Sequence, residues 1–134
     1  MNVLVVGANG QIGKQICTML AESDRHHVKA MIRNKEQNEF FFSLGVETII
    51  ADLEEPDLTY TTKDMDAIIF TAGSGGHTGP DKTILVDLDG AFKMIEAGEK
   101  TEVKRFIMVS AINADNPHEG PDAIRHYNVA KKRA

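Results

Sequence analysis

The sequence is poor in several features that would otherwise narrow its class. It has one cysteine, Cys17, so no disulfide can form within the chain, and a reducing, cytoplasmic setting is the simplest expectation. It has no tryptophan and only 6% aromatic residues, so aliphatic side chains and methionine must fill the core. It has no basic excess: 15 Lys and Arg against 20 Asp and Glu leave a net charge of −5. An acidic chain without a basic stripe is a poor partner for nucleic acid, and the cluster Lys131-Lys132-Arg133 is too short to alter that. No apolar run approaches the roughly 20 residues of a membrane span. The apolar stretch that begins at Val3 has no basic segment or cleavable spacer before it, so it reads as a strand and not as a secretory signal. The five histidines show no metal-ligand spacing with Cys17 or with carboxylates, so no metal site is expected. Cys17 itself reads as a small core residue.

What is present is regular alternation. The 134 residues suit one domain, 1–134, and 42% apolar composition can supply its core. Apolar runs at 3–6, 28–32, 46–51, 67–71 and 103–109 read as strands, the first buried on both faces. Between them lie helical patterns. Ile12, Ile16, Met19 and Leu20 mark one helix, and Phe40, Phe41 and Leu44 a second. The second has Asn34 and Gln37 placed as a capping box and Gly45 as its stop. Pro56 limits any helix before the fourth strand to a short one. Ile84, Leu88, Ala91, Phe92 and Ile95 predict a long amphipathic helix with a weak point at Gly90, unless something packs close there. Residues 111–121 read as a loop, and Asp122 can cap a last helix. Five βα units in alternation predict an α/β fold. It is a Rossmann-type, doubly wound parallel sheet of order 3-2-1-4-5 with helices on both faces.

The first turn carries the chemistry. VLVVGANGQIG spaces Gly7, Gly10 and Gly13 three apart between a strand and a helix. The chain turns sharply at Gly7, a pyrophosphate approaches the backbone near Gly10, and Gly13 lets the helix pack against the sheet. Free N–H groups and the helix dipole then favour an anion. Asn9, Gln11 and Ile12 belong to the same cofactor-binding turn. An NAD site places an acidic residue about 20 positions past the last glycine, for the ribose 2′-hydroxyl. Here the count reaches Arg33, which suits a 2′-phosphate, so NADP is favoured over NAD; the alternative is a solvated arginine. After the third strand, Asp52 can accept from an adenine amino group or simply cap a turn, with Leu53 beside it. Thr71, Ala72 and Gly73 end the fourth strand with small residues that admit a cofactor. Ser74, Gly75 and Gly76 extend a lip in which His77 can reach a nicotinamide or substrate.

VGANGQIG, Arg33, Asp52, TAG at 71–73, the strand end at Met108–Ala111 and Tyr127-x-x-x-Lys131 occur in order. Together they resemble the short-chain dehydrogenase/reductase superfamily. More narrowly, they resemble its atypical NAD(P)H-binding, NAD-dependent epimerase/dehydratase-like group. The resemblance covers essentially the whole chain. It implies that Tyr127 and Lys131 do the chemistry and that Ser110 orients a small-molecule substrate. Residues four apart share a helix face, and an ammonium beside a phenol is expected to lower the phenol's pKa.

Two departures from the family stand out. Asp87 replaces its frequent Asn, and the chain stops three residues after Lys131 where relatives continue. The chain therefore reads as the N-terminal, cofactor-binding portion of a longer protein, and its fifth strand is expected to expose an edge through which copies can associate. The leading expectation is an NADP-dependent oxidoreductase or epimerase-like enzyme acting on a small carbonyl or hydroxyl group. The alternatives are a non-catalytic NADP-binding redox sensor and a flavin or biliverdin-type reductase.

Overall fold

The apolar run near the N-terminus forms β1 (Asn2–Val6), the centre of a five-stranded parallel sheet. The other strands are β2 (His27–Ile32), β3 (Glu47–Ile50), β4 (Ala67–Phe70) and β5 (Arg105–Met108), in the order β3-β2-β1-β4-β5. The computed structural model describes residues 1–73, 79–119, 122 and 125–134. Val5 lies between Ala30 of β2 and Ile69 of β4, and the register runs on to Ile107 of β5. Val3, Leu4, Val5 and Val6 are all buried. That is why this strand reads as an unbroken apolar run: both faces of a central parallel strand are covered.

Alternate strand residues feed two cores. Leu4, Val6, Ile68 and Phe70 pack against α4 (Gly90–Lys100) through Ala91, Met94 and Ala97, with Leu53 and Leu58 from the loop after β3. Val3, Val5, Ala30 and Ile32 pack on the other face. There they meet Cys17 of α1 (Gln11–Ala21) and Phe41 of α2 (Asn38–Ser43). A 3-10 turn, Lys35–Gln37, leads into α2, and the expected Asn34–Gln37 capping box is formed there. Gly45 follows α2 with φ +69°, the left-handed stop expected of it.

The helix faces follow the apolar stripes in part: Phe40, Phe41 and Leu44 of α2, and Ile16 and Leu20 of α1, pack against the core. In α1 the buried residues are Gly13 and Cys17, whereas Ile12 and Met19 are 50% and 71% exposed. Gly13 packs directly on the Gly-rich turn, and that contact sets the rotation of the helix. The long helix is in three parts: α3 (Pro80–Lys82), a π segment (Thr83–Asp89) and α4. Its inward face is Thr83, Asp87, Gly90, Ala91, Met94, Ala97 and Gly98, while Ile84 and Phe92 lie exposed. Gly90 is not a defect, because a Cβ there would lie 3.1 Å from Leu53 Cδ1. The wider π turn carries two polar residues inward at the point where the helix passes the end of β4.

The last helix, α5 (Arg125–Arg133), packs on the π segment. Asp122 engages Arg125; whether it also caps the helix involves residues 120–124, most of which lie outside the described residues. β5 is the outer strand of the described sheet, and its Ile107 is 52% exposed. No helix among the described residues is long and apolar enough to cross a membrane. Because all five strands run parallel, their C-terminal ends meet along one side, where Gly7, Arg33, the residues after Ile50, and Thr71–Gly73 gather.

Candidate nucleotide cleft and proton-transfer site

At Gly7 the chain turns with φ +77°, and a Cβ there would fall 2.5 Å from the Ala72 nitrogen. A Cβ on Gly13 would fall 2.3 Å from the Gly7 carbonyl oxygen. Both glycines are therefore required by packing. Gly10 differs. Its backbone is ordinary extended chain (φ −69°, ψ 167°), and among the described residues a Cβ there would meet just the Gly7 oxygen, at 3.3 Å. Packing does not demand glycine at position 10, but a ligand approaching the backbone would. The Gly10 N–H donates to Gly7 O at 3.0 Å, and the Thr71 hydroxyl donates to Val6 O at 2.9 Å, so the turn is tied to the end of β4. No side chain caps α1, which leaves its first-turn N–H groups to an anion.

A cleft of about 460 Å³ opens over this turn. Of the residues expected to hold a cofactor, Gly7, Asn9, Gly10, Arg33, Asp52, Leu53, Thr71, Ala72 and Gly73 line it. Gln11, Ile12 and Gly13 do not, since they belong to the body of α1. Arg33 is exposed, and among the described residues its guanidinium has no carboxylate partner. Its backbone N–H donates to Gln37 Oε1 at 3.1 Å. Asp52 caps its own turn, its Oδ1 accepting from the Glu54 N–H at 2.9 Å.

The cleft also includes Gln37, Glu54, Lys82 and Val86, which sequence reasoning did not place there. Glu54 and Lys82 form an ion pair across the cleft, joining the loop after β3 to α3. Gln37 had a signal in its capping box; the Glu54–Lys82 pair, 28 residues apart, had none. A larger depression of about 690 Å³, around Asn2, His26 and Met65, lies at the opposite ends of the strands. Ligands of open parallel sheets bind outside the carboxyl ends, so the smaller cleft is the candidate site.

Beyond the cleft floor, α5 brings Tyr127 and Lys131 against β4. Lys131 Nζ donates to the Ala72 carbonyl at 3.0 Å and lies 3.1 Å from Asp87 Oδ1, with both side chains buried. It also sits 5.6 Å from the centre of the Tyr127 ring. Gly73 leaves the space in which these groups meet. A Cβ there would lie 3.1 Å from Asp87 Oδ1, 3.7 Å from Tyr127 Oη and 3.9 Å from Lys131 Nζ.

The expected lowering of the phenol's pKa is reversed. Burial, and then the Asp87 carboxylate, push Tyr127 above its ordinary value. Ser110 is exposed and, among the described residues, makes no hydrogen bond to Tyr127 or Lys131. Ser74–Gly76 and His77 lie outside the described residues. Cys17 is buried, and burial pushes its thiol up to about 12. The arrangement sets a cleft with the features of a dinucleotide site beside a half-buried phenol.

Residues 7–134 match the family described as NAD(P)H-binding. The chain is 47% identical to an uncharacterized sugar epimerase of Bacillus subtilis, covering all of this chain and 64% of that protein. It is 36% identical to a UPF0659 protein of Saccharomyces cerevisiae, covering all of this chain and 62% of that one. Among solved structures, a Bacillus halodurans protein named for NAD-dependent epimerase/dehydratase superposes with a TM-score of 0.93 at 46% identity. That match covers 99% of this chain and 62% of the other. The chain thus spans under two thirds of the length of the relatives it matches.

Proposed function

The chain belongs to the NAD(P)H-binding family, and from that premise we propose that it serves an NADP(H)-dependent oxidoreductase acting on a small carbonyl or hydroxyl substrate, with Tyr127 as the proton-transferring group. One observation carries the reading: Gly73 both lines the nucleotide cleft and makes room for Tyr127, Asp87 and Lys131. Cofactor and proton donor therefore share one wall. Thr71–Gly73 and the Gly7–Gly10 turn would hold the pyrophosphate and the nicotinamide half, and Arg33 would meet a 2′-phosphate. When bound, the nicotinamide supplies or accepts the hydride. The protein's own part is to orient it over the end of β4, keep water from the buried side, and move a proton at Tyr127 Oη.

Cofactor choice is tested by titration calorimetry with NADPH and NADH. A charge-assisted contact of about 1.5–3 kcal/mol corresponds to a preference of roughly 10- to 100-fold for NADPH. Arg33→Ala should erase most of it, and equal affinities in the unmodified protein would refute the assignment. A second reading, NADP binding without catalysis, draws on Ser110, which is exposed and, among the described residues, makes no hydrogen bond to Tyr127. Tyr127→Phe separates the two. It should abolish reduction of a panel of small aldehydes and ketones if the first holds, leave nucleotide binding as the protein's single property if the second holds, and leave turnover intact in a flavin or biliverdin-type reductase.

A further inference from the structure

We propose that Asp87 is a positioning residue that sets the direction of proton movement at Tyr127: by compensating Lys131 beneath Gly73 it makes the site a proton donor to a carbonyl oxygen and a poor acceptor of a proton from an alcohol. The inference rests on the oxidoreductase reading above and deepens it.

A lone ammonium beside a phenol stabilises phenolate. Here the ammonium is not alone. Lys131 Nζ lies 3.1 Å from Asp87 Oδ1 and donates to the Ala72 carbonyl at 3.0 Å, so a carboxylate and a carbonyl oxygen both meet the ammonium that lies beside the phenol ring. The side chains of the pair are 2% and 0% exposed, so water does not screen them. The Asp87 carboxylate that pairs with this ammonium shares with Oη the small space left by Gly73. The phenol's upward shift has burial and Asp87 as its causes, in that order.

The other described charges around the phenol are engaged elsewhere or do not contribute. On α5, Arg125 pairs with Asp122, and Lys132 donates to the Asp115 carbonyl at 2.7 Å. His126 and Arg133 on the same helix, and Asp89 on the π segment, are not among the causes of the shift. β4 contributes no titratable group.

The chemical consequence is directional. In reduction, a reduced nicotinamide held by the Gly7–Gly10 turn and Thr71–Gly73 would supply a hydride, with both electrons, for the new C–H bond at the carbonyl carbon. The C=O π bond breaks, its oxygen takes the Tyr127 proton, and the phenolate recovers a proton from solvent. The reverse reaction must begin from phenolate, the form that Asp87 disfavours.

The test needs neither nucleotide nor substrate. The sequence has two tyrosines, so a Tyr60→Phe background leaves Tyr127 as the one reporter. Its titration is followed by tyrosinate ultraviolet absorbance on the whole 134-residue chain, with circular dichroism to verify the fold at each pH. Asp87→Asn should lower the midpoint by on the order of one pH unit, about tenfold more phenolate at a given pH. The double variant Asp87→Asn/Lys131→Met removes both charges and should return the midpoint close to that of the background protein. A single-variant midpoint that is unchanged or raised overturns the proposal. If the single variant, with its lone buried ammonium, does not fold, the double variant decides. A midpoint near the background supports electrical cancellation, and a shift of about a unit or more overturns it. Absent NADPH binding would sink the oxidoreductase reading without touching this result, and an unchanged midpoint would sink this inference without touching NADPH binding.

Discussion

Gly10 and Gly13 sit three residues apart in the same turn, yet their replacement should fail in opposite ways. A Cβ on Gly13 would lie 2.3 Å from the Gly7 oxygen and 2.7 Å from Ala8 Cα, both backbone atoms that no rotamer change can move. Overpacking of this kind costs about 1–3 kcal/mol. At about 4 °C per kcal/mol for a chain of this size, Gly13→Ala should lower Tm by about 4–12 °C. A Cβ on Gly10 meets one described atom, at 3.3 Å, on a backbone any residue can adopt. Valine is a poor N-cap, so Gly10→Val should cost at most about 1 kcal/mol, or about 4 °C. Its branched side chain, however, stands where the pyrophosphate must approach. Losing two charge-assisted N–H contacts at about 1.5–3 kcal/mol each weakens binding by roughly 100-fold or more. Thermal melts followed by circular dichroism and calorimetric titration with NADPH separate the two effects. Parental NADPH affinity in Gly10→Val would mean the phosphates lie elsewhere. A Gly10→Val melt as low as that of Gly13→Ala would show that Gly10, too, is a packing residue.

Three further outcomes are expected. Cys17 should resist iodoacetamide at pH 8 until the protein unfolds, because burial holds its thiol near 12; rapid labelling of the folded chain would refute this. Since that value is raised above the ordinary 9.0, the contribution of the buried thiol is intact below pH 9 and is lost as pH rises towards 12, which an alkaline series of melts will read. Gln37→Ala should cost about 1 kcal/mol, read as a lower Tm, because Gln37 Oε1 accepts from the backbone N–H groups of both Arg33 and Asn34. The 134-residue chain should self-associate in light scattering through the outer edge of β5, and Ile107→Lys should reduce that association; a monodisperse monomer would refute it.

Sheet order and strand positions were legible because a central parallel strand is covered on both faces and must be apolar throughout, as residues 3–6 are. The Gly-rich turn was legible because backbone constraints at Gly7 and Gly13 leave glycine as the residue that fits. The helix faces were legible in part: Phe40, Phe41 and Leu44 of α2, and Ile16 and Leu20 of α1, pack on the core as their spacing predicts. Ile12 and Met19 of the same α1 stripe are exposed, and the close contact that α1 makes with the turn is made by Gly13, which adds nothing to a hydrophobic pattern. In the long helix the inward residues are largely small or polar, so apolar spacing selected Ala91, which is buried, and Leu88 and Ile95, which are half-buried, together with Ile84 and Phe92, which face out. The Tyr127–Lys131 spacing could be read, and the family resemblance singled out Asp87 as a departure; that Asp87 lies 3.1 Å from Lys131 could not be read, because the two are 44 residues apart and no local pattern links them.

That carboxylate is difficult to explain by stability. The neighbours of the Asp87–Lys131 pair include Phe70, whose ring lies 5.7 Å from Lys131 Nζ, and the apolar layer of Ala91 and Met94. Removing two charges from water costs several kcal/mol per ion, and well-packed apolar residues in such a place are often as stabilising or more so. The helix carrying Asp87 also gives up regular α geometry over Thr83–Asp89, a distortion that appears mostly at functional sites. Two local costs therefore fall on the same few residues, beside the one glycine that opens both to the nucleotide cleft and to the phenol. A core selected for stability alone would have placed a leucine at 87 and left the helix regular. What the pair supplies instead is a fixed ammonium tethered to the Ala72 carbonyl and, in the function proposed above, a tyrosine that keeps its proton for a substrate oxygen.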